Sequence, residues 1–189
     1  MHRVMVIHPS SRAPSIAALE AEATRPGPDQ LRIAYKLTGS LGAVIMPVAK
    51  KGARADGLWR ATCFEAFLTA GPGAGYLEFN FSPSTSWAAY AFSAYRAGMA
   101  PAALRASPRI DVAIRPDCLE LSATVDLAGI IPREDPWRLG LCAVIEAADG
   151  VLSYWALAHP PGRPDFHDPL AFALDLPPTE HPCNSGSTA

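Results

Sequence analysis

The stretch Tyr76-Leu77-Glu78-Phe79-Asn80-Phe81-Ser82 sets Leu77, Phe79 and Phe81 against Tyr76, Glu78, Asn80 and Ser82, one residue in two. Such alternation marks a strand with one face in a core, because successive strand side chains point to opposite sides. Upstream, Gly71-Pro72-Gly73-Ala74-Gly75 reads as a turn. Before it, Thr62–Leu68 separates Cys63, Glu65 and Phe67 from Phe64, Ala66 and Leu68. Two alternating segments across a glycine-rich turn predict a hairpin. Downstream, Pro83–Ser86 leads into Trp87–Tyr95, rich in aromatic and small residues, and then into an irregular stretch over 97–108.

The same period recurs along the chain. Leu31, Ile33, Tyr35 and Leu37 alternate with Arg32, Ala34 and Lys36. Ile16–Thr24 fits a helix face through Ile16, Leu19 and Ala23, or a strand through Ala17, Leu19 and Ala21. The reversing turn Arg25-Pro26-Gly27-Pro28-Asp29 favours the strand. Ile110–Ile114 and Leu119–Val125 pair across Arg115-Pro116-Asp117, and Leu139–Glu146 pairs with Leu152–Ala158. His2–Ile7, Val44–Val48 and Ala171–Leu176 add short segments, with a polar loop over 49–57. Nineteen prolines exclude a mainly helical chain. About nine to eleven strands with little helix predict an all-β fold, one antiparallel β-sandwich over residues 1–176. Its expected core includes Leu77, Phe79, Phe81, Leu119, Leu121, Val125, Leu141 and Val144. Residues 177–189 form a polar tail, expected to be disordered.

Composition excludes several classes of function. The chain has 189 residues, 49% of them hydrophobic, and a net charge of −2, which suits one domain and gives nucleic acid no electrostatic reason to bind. No apolar run approaches the ~20 residues of a membrane span. His2, Arg3 and His8 interrupt the N-terminus too soon for a signal peptide, so a cytoplasmic location is expected. Cys63, Cys118, Cys142 and Cys183 form no C-x-x-C pair and read as reduced thiols, the last of them in the tail. There is no G-x-S-x-G elbow, H-E-x-x-H, P-loop or dinucleotide fingerprint. No catalytic residue is assigned, and no enzyme activity is expected.

Ionisable residues gather in the segment 159–168, with His159, Asp165, His167 and Asp168. They could ligate a metal or cap the turns of a proline-rich loop. With three prolines and a glycine between the histidines, no regular element holds them on one face, and no metal is assigned. Met46, Met99, His159 and His167 are formally available as axial ligands of a b-type haem. Glu65 or Glu78 with His159 could form an acid/base centre only if folding brought them together. Of the four tryptophans, Trp59 and Trp155 lie beside loops, where an indole face could stack on a sugar ring while carboxylates and amides take its hydroxyls.

The succession Leu58-Trp59, Glu65-Ala66-Phe67-Leu68, Tyr76–Phe81, Leu119–Val125, Tyr154-Trp155 and Phe172-Ala173-Leu174 resembles the DOMON-like superfamily. Within it, the chain is similar to the branch containing the family 9 carbohydrate-binding modules, over about residues 16–176. The resemblance implies an immunoglobulin-like or jelly-roll sandwich whose two tryptophans clamp a terminal sugar. On this chain the clamp would be Trp59 and Trp155, with Glu65 and Asn80 taking hydroxyls and Arg60 and His159 nearby. Glu78 departs from the pattern, standing where a basic or amide contact is expected. The implied ligand is a small polyhydroxylated molecule or glycan end, with no cofactor. Other members of the superfamily bind haem b through a methionine and a histidine, and a surface for a partner protein is the further alternative.

Overall fold

The computed structural model describes residues 2–13, 15–48, 52–71, 73 and 75–179. They form the strands β1 (His2–Val4), β2 (Val6–Ile7), β3 (Ile16–Gly27), β4 (Gln30–Gly39), β5 (Cys63–Ala70), β6 (Tyr76–Phe81) and β7 (Trp87–Phe92). These are followed by β8 (Ala100–Pro101), β9 (Arg109–Ile114), β10 (Cys118–Asp126), β11 (Trp137–Glu146), β12 (Leu152–Ala156) and β13 (Leu174–Leu176). Three single 3-10 turns and no α-helix occur among the described residues. The thirteen strands make an antiparallel β-sandwich, the predicted class. The excess over the expected number comes from two-residue pieces such as β2 and β8.

One sheet runs β1-β3-β4-β10-β9 and the other β2-β12-β11-β5-β6-β7-β8, with β13 paired to the far end of β11. The ambiguous segment at 16–24 is a strand, registered on β4 with Leu19 opposite Leu37 and Ala23 opposite Ile33. Between the sheets pack Leu19, Ile33, Tyr35 and Leu37 from one side and Phe64, Phe79, Phe81, Leu139 and Leu141 from the other. Each such side chain contributes on the order of 1.5–3 kcal/mol of hydrophobic stabilisation. Tyr35 keeps its hydroxyl satisfied there by donating to the Glu65 carbonyl at 2.6 Å.

All eight expected core residues are buried, but Val144 faces away from the sandwich interior. It belongs to a second apolar cluster on the outer face of the larger sheet, with Phe67, Tyr76, Tyr90, Phe92, Phe166 and Phe172. The segment between β12 and β13 folds back over that face. Its approach is close at Gly140, where a Cβ would lie 3.0 Å from the Ala171 carbonyl oxygen. β5 and β6 are therefore covered on both sides, and their burial is almost unbroken. Here the sequence reading needs correction: the polar face Glu78-Asn80-Ser82 is buried, not solvated. The closing strand also starts only at Leu174, because Asp168 and Pro169 open a 3-10 turn that Asp168 caps. The free cysteines of the described residues are Cys63, Cys118 and Cys142. Cys183 and most of the expected tail lie outside them.

Candidate functional site

Strand pairing assembles the site's floor. In β5, β6 and β11 the residues Glu65, Glu78 and Val144 all project to the outer face, and Glu65 pairs with Asn80 and Cys142. Two further segments raise walls around them. A 3-10 turn at Leu58–Arg60, entered through Gly57 at φ +77°, brings Trp59 to the rim, edge-on to Tyr90 at 6.0 Å. The return segment supplies Pro164, Phe166 and His167, and β12 supplies Tyr154. The resulting open cavity has a volume of about 460 Å³, with aromatic walls from Trp59, Phe67, Phe92, Tyr154 and Phe166 and a polar floor of two glutamates.

The floor is electrostatically unusual. Glu65 is only 3% exposed, and its Oε1 has no hydrogen-bond partner. Burial, reinforced by the neighbouring Glu78, pushes its carboxyl well above the usual carboxylate range. Burial also raises Glu78, against a hydrogen bond that Asn80 Nδ2 donates to its Oε1 at 2.7 Å and against the charge of Arg96. Asn80 Oδ1 in turn accepts from the Cys63 thiol at 3.6 Å.

His167 is fixed by a relay of hydrogen bonds. The Tyr76 hydroxyl accepts the Arg96 backbone N–H at 3.1 Å and shares a hydrogen bond with His167 Nδ1 at 2.7 Å. The other ring nitrogen, Nε2, faces Glu78 Oε2 at 3.8 Å. Burial, aided by the charge of Arg96 and opposed by Asp165, lowers the imidazole pKa to about 4, so the ring is neutral. Arg96 takes a left-handed backbone (φ +52°), uncommon for a residue with a side chain. This conformation directs its N–H to Tyr76 while its guanidinium donates to Asp165 at 2.8 Å. Burial alone would raise the Asp165 carboxyl; hydrogen bonds from Tyr95, Arg96 and the His167 amide outweigh it and hold it low.

The structure brings together some of the residues expected from sequence and separates others. Trp59 and Glu65 border the cavity, and Asn80 lies fully buried beneath it, holding Glu78. Trp155 is elsewhere. In β12 it pairs with Ala143 and Ile7, is 7% exposed, and belongs to the core between the sheets, where its Nε1 donates to Ser153 Oγ at 3.1 Å. Tyr154, one residue earlier, is the aromatic that reaches the site. Strand parity decides this, since adjacent residues face opposite sides. Arg60 points to solvent outside the cavity. His159 is held at the β2 edge by Nε2 donating to the Val6 carbonyl at 2.9 Å, with its ring edge-on to His8. It does not meet Glu65 or Glu78; His167 takes that place. Sequence reasoning missed Tyr154, Arg96 and the role of His167, although the ionisable cluster around His167 was a visible signal.

Among the described residues, no three metal-ligating side chains converge. Asp168 caps a turn, Asp165 is engaged by Tyr95 and Arg96, and the two histidines sit in separate environments. Met99 and His167 share the cavity wall, with His167 Nδ1 bonded to Tyr76 and Nε2 facing Glu78 Oε2 at 3.8 Å.

No family model and no curated protein sequence matches the chain. Its similarity to known proteins lies in the fold. A crystal structure of a candidate carbohydrate-binding protein from Bacteroides uniformis is similar with a TM-score of 0.64 and 14% identity, over 93% of this chain and 85% of the other. A family 9 carbohydrate-binding module from Caldicellulosiruptor kristjanssonii in complex with cellotriose gives 0.58 and 8% identity, over 100% and 87% of the two chains. A family 9 module from the same organism in complex with glucose gives 0.54 and 10%, over 97% and 85%.

Proposed function

We propose that this chain is a non-catalytic sugar-binding module that takes a terminal sugar into the cavity on the outer face of its larger sheet. The observation that carries the reading is an aromatic-walled cavity floored by an almost fully buried carboxyl with an unpartnered oxygen. Aromatic faces remove the C–H surface of a sugar ring from water, while carboxyl and imidazole groups select hydroxyls by hydrogen bonding. The sugar complexes of the similarly folded modules support the same class of ligand. Expected affinity is roughly 10 µM to 1 mM, because so small a ligand offers few atoms to bind with.

The floor's geometry supports binding without turnover. Glu65 and Glu78 stand on adjacent strands of one sheet face, so both approach a ligand from the same side. Glycoside hydrolysis needs two carboxyl groups flanking the scissile bond.

Calorimetric titration with glucose and cellotriose tests the reading, together with their failure to be cleaved. Trp59→Ala and Tyr154→Ala should each abolish binding and leave the melting temperature nearly unchanged. Trp155→Ala should instead destabilise the fold by about 3–5 kcal/mol, as a core aromatic truncation does. Tight binding that survives Trp59→Ala and Tyr154→Ala would place the site elsewhere. The protein should fail to take up added haemin, leaving no haem absorbance with the protein after gel filtration.

A further inference from the structure

We infer that the ligand of this cavity carries a protonated amine, which docks against Glu65 and Glu78. The inference rests on the sugar-site reading only for the scaffold that bears the amine; the charge argument is independent of it. Two carboxyl groups, 3% and 5% exposed, line one small cavity. Among the described residues no lysine or arginine pairs with either. Arg96, the cationic residue on the wall, already donates to Asp165 at 2.8 Å. His167 is neutral, and its Nε2 stops 3.8 Å short of Glu78 Oε2, beyond hydrogen-bond length. Asn80 satisfies one oxygen of Glu78, leaving Oε2 without a close donor, and Glu65 Oε1 has none. The cavity floor therefore holds two carboxyl groups without a bonded cationic partner.

An unpaired buried carboxylate is costly, and burial beside Glu78 raises the Glu65 carboxyl accordingly. A neutral hydroxyl could donate one hydrogen bond there but could not neutralise a carboxylate. An ammonium brings three donors and a positive charge. The walls suit it as well, because Trp59, Phe92 and Tyr154 line the cavity and an aromatic ring can attract a cation. Glu78, where the resemblance leads one to expect a basic or amide contact, is then the residue that changes the ligand from neutral to cationic.

The experiment is calorimetry with D-glucosamine, D-glucose and N-acetyl-D-glucosamine near neutral pH, with ethanolamine as a competitor. Glucosamine should bind at least about tenfold more tightly than the other two sugars, a difference of about 1.4 kcal/mol. In Glu65→Gln and in Glu78→Gln the glucosamine-to-glucose affinity ratio should fall toward one. Each variant's melting curve confirms that it is folded. Glucose or N-acetylglucosamine binding as tightly as glucosamine would overturn the amine and leave the sugar reading standing. Displacement by ethanolamine with no glucose binding would keep the amine and discard the sugar. Binding of none of the four would overturn both.

Discussion

Glu65 and His167 pull the stability of this protein in opposite directions as pH changes, and each can be unmasked by removing the other. Glu65 is raised well above its ordinary value near 4.5, so the folded chain holds a proton that the unfolded chain releases. Its contribution to stability therefore declines as pH rises above 4.5. His167 is lowered from 6.5 to about 4, so the unfolded chain takes up a proton that the folded chain refuses. Its contribution is complete above 6.5 and declines as pH falls toward 4. Above pH 4.5 and below 6.5 the two contributions oppose each other. Denaturant titrations should show Glu65→Gln gaining stability with rising pH across that window, by about 2 kcal/mol. His167→Asn should instead lose stability as pH rises above 4.5, and the figure for Glu65→Gln is discounted for partial solvation of the imidazole. Parallel profiles for all three proteins would mean that the two groups are not titrating as their burial requires. At this scale the sequence pointed to Trp59 and Glu65, which border the cavity, whereas Asn80, expected to take a hydroxyl, lies buried beneath it and holds Glu78. The sequence misled at Trp155 because an aromatic pair on consecutive strand residues gives no sign of which ring faces in.

Among the elements, the sandwich itself could be read from periodicity, and what covers its outer face could not. β3, β4 and β10 alternate cleanly because one side of their sheet meets solvent. β5 and β6 have covered faces on both sides, so their polar residues Glu65, Glu78 and Asn80 look like a solvated stripe in sequence and are a buried floor in the fold. The cover is a proline-rich return segment with almost no regular structure, and its position depends on long-range contacts that no local pattern encodes. Gly140 makes one of these contacts. Its absent side chain lets the backbone at Ala171 approach β11, and Phe172 then packs on Phe67 and Tyr76 at centroid distances of 6.2 and 5.9 Å. Gly140→Val should push that segment outward, since even a Cβ would sit 3.0 Å from the carbonyl oxygen. The expected cost is about 1–3 kcal/mol from overpacking. Ligand affinity should fall as well, because His167 and Phe166 ride on the same segment. Loss of stability with intact affinity would show that the cavity wall does not depend on this contact.

For the molecule as a whole, the question is whether its two apolar clusters unfold as one unit. The inner cluster fills the space between the sheets, and the outer one lies beneath the return segment. They share β5, β6 and β11, whose alternate residues feed opposite clusters: Phe64 and Leu68 inward, Phe67 outward; Leu141 and Ala143 inward, Cys142 and Val144 outward. A strand cannot leave one cluster and remain in the other, so loss of either face removes backbone pairing from both. Unfolding should therefore be a single transition, with far-UV circular dichroism and tryptophan fluorescence giving the same midpoint. A ligand bound only to the outer cavity should then stabilise the entire sandwich. At one hundred times its dissociation constant it adds about 2.7 kcal/mol. For a chain of this length that corresponds to a rise in melting temperature of about 5–10 °C, seen equally by both probes. Two separated transitions, with only the fluorescence change near Trp59 responding to ligand, would show instead that the return segment detaches before the sandwich opens. The outer cluster would then be a cover that closes over the site, with a stability of its own.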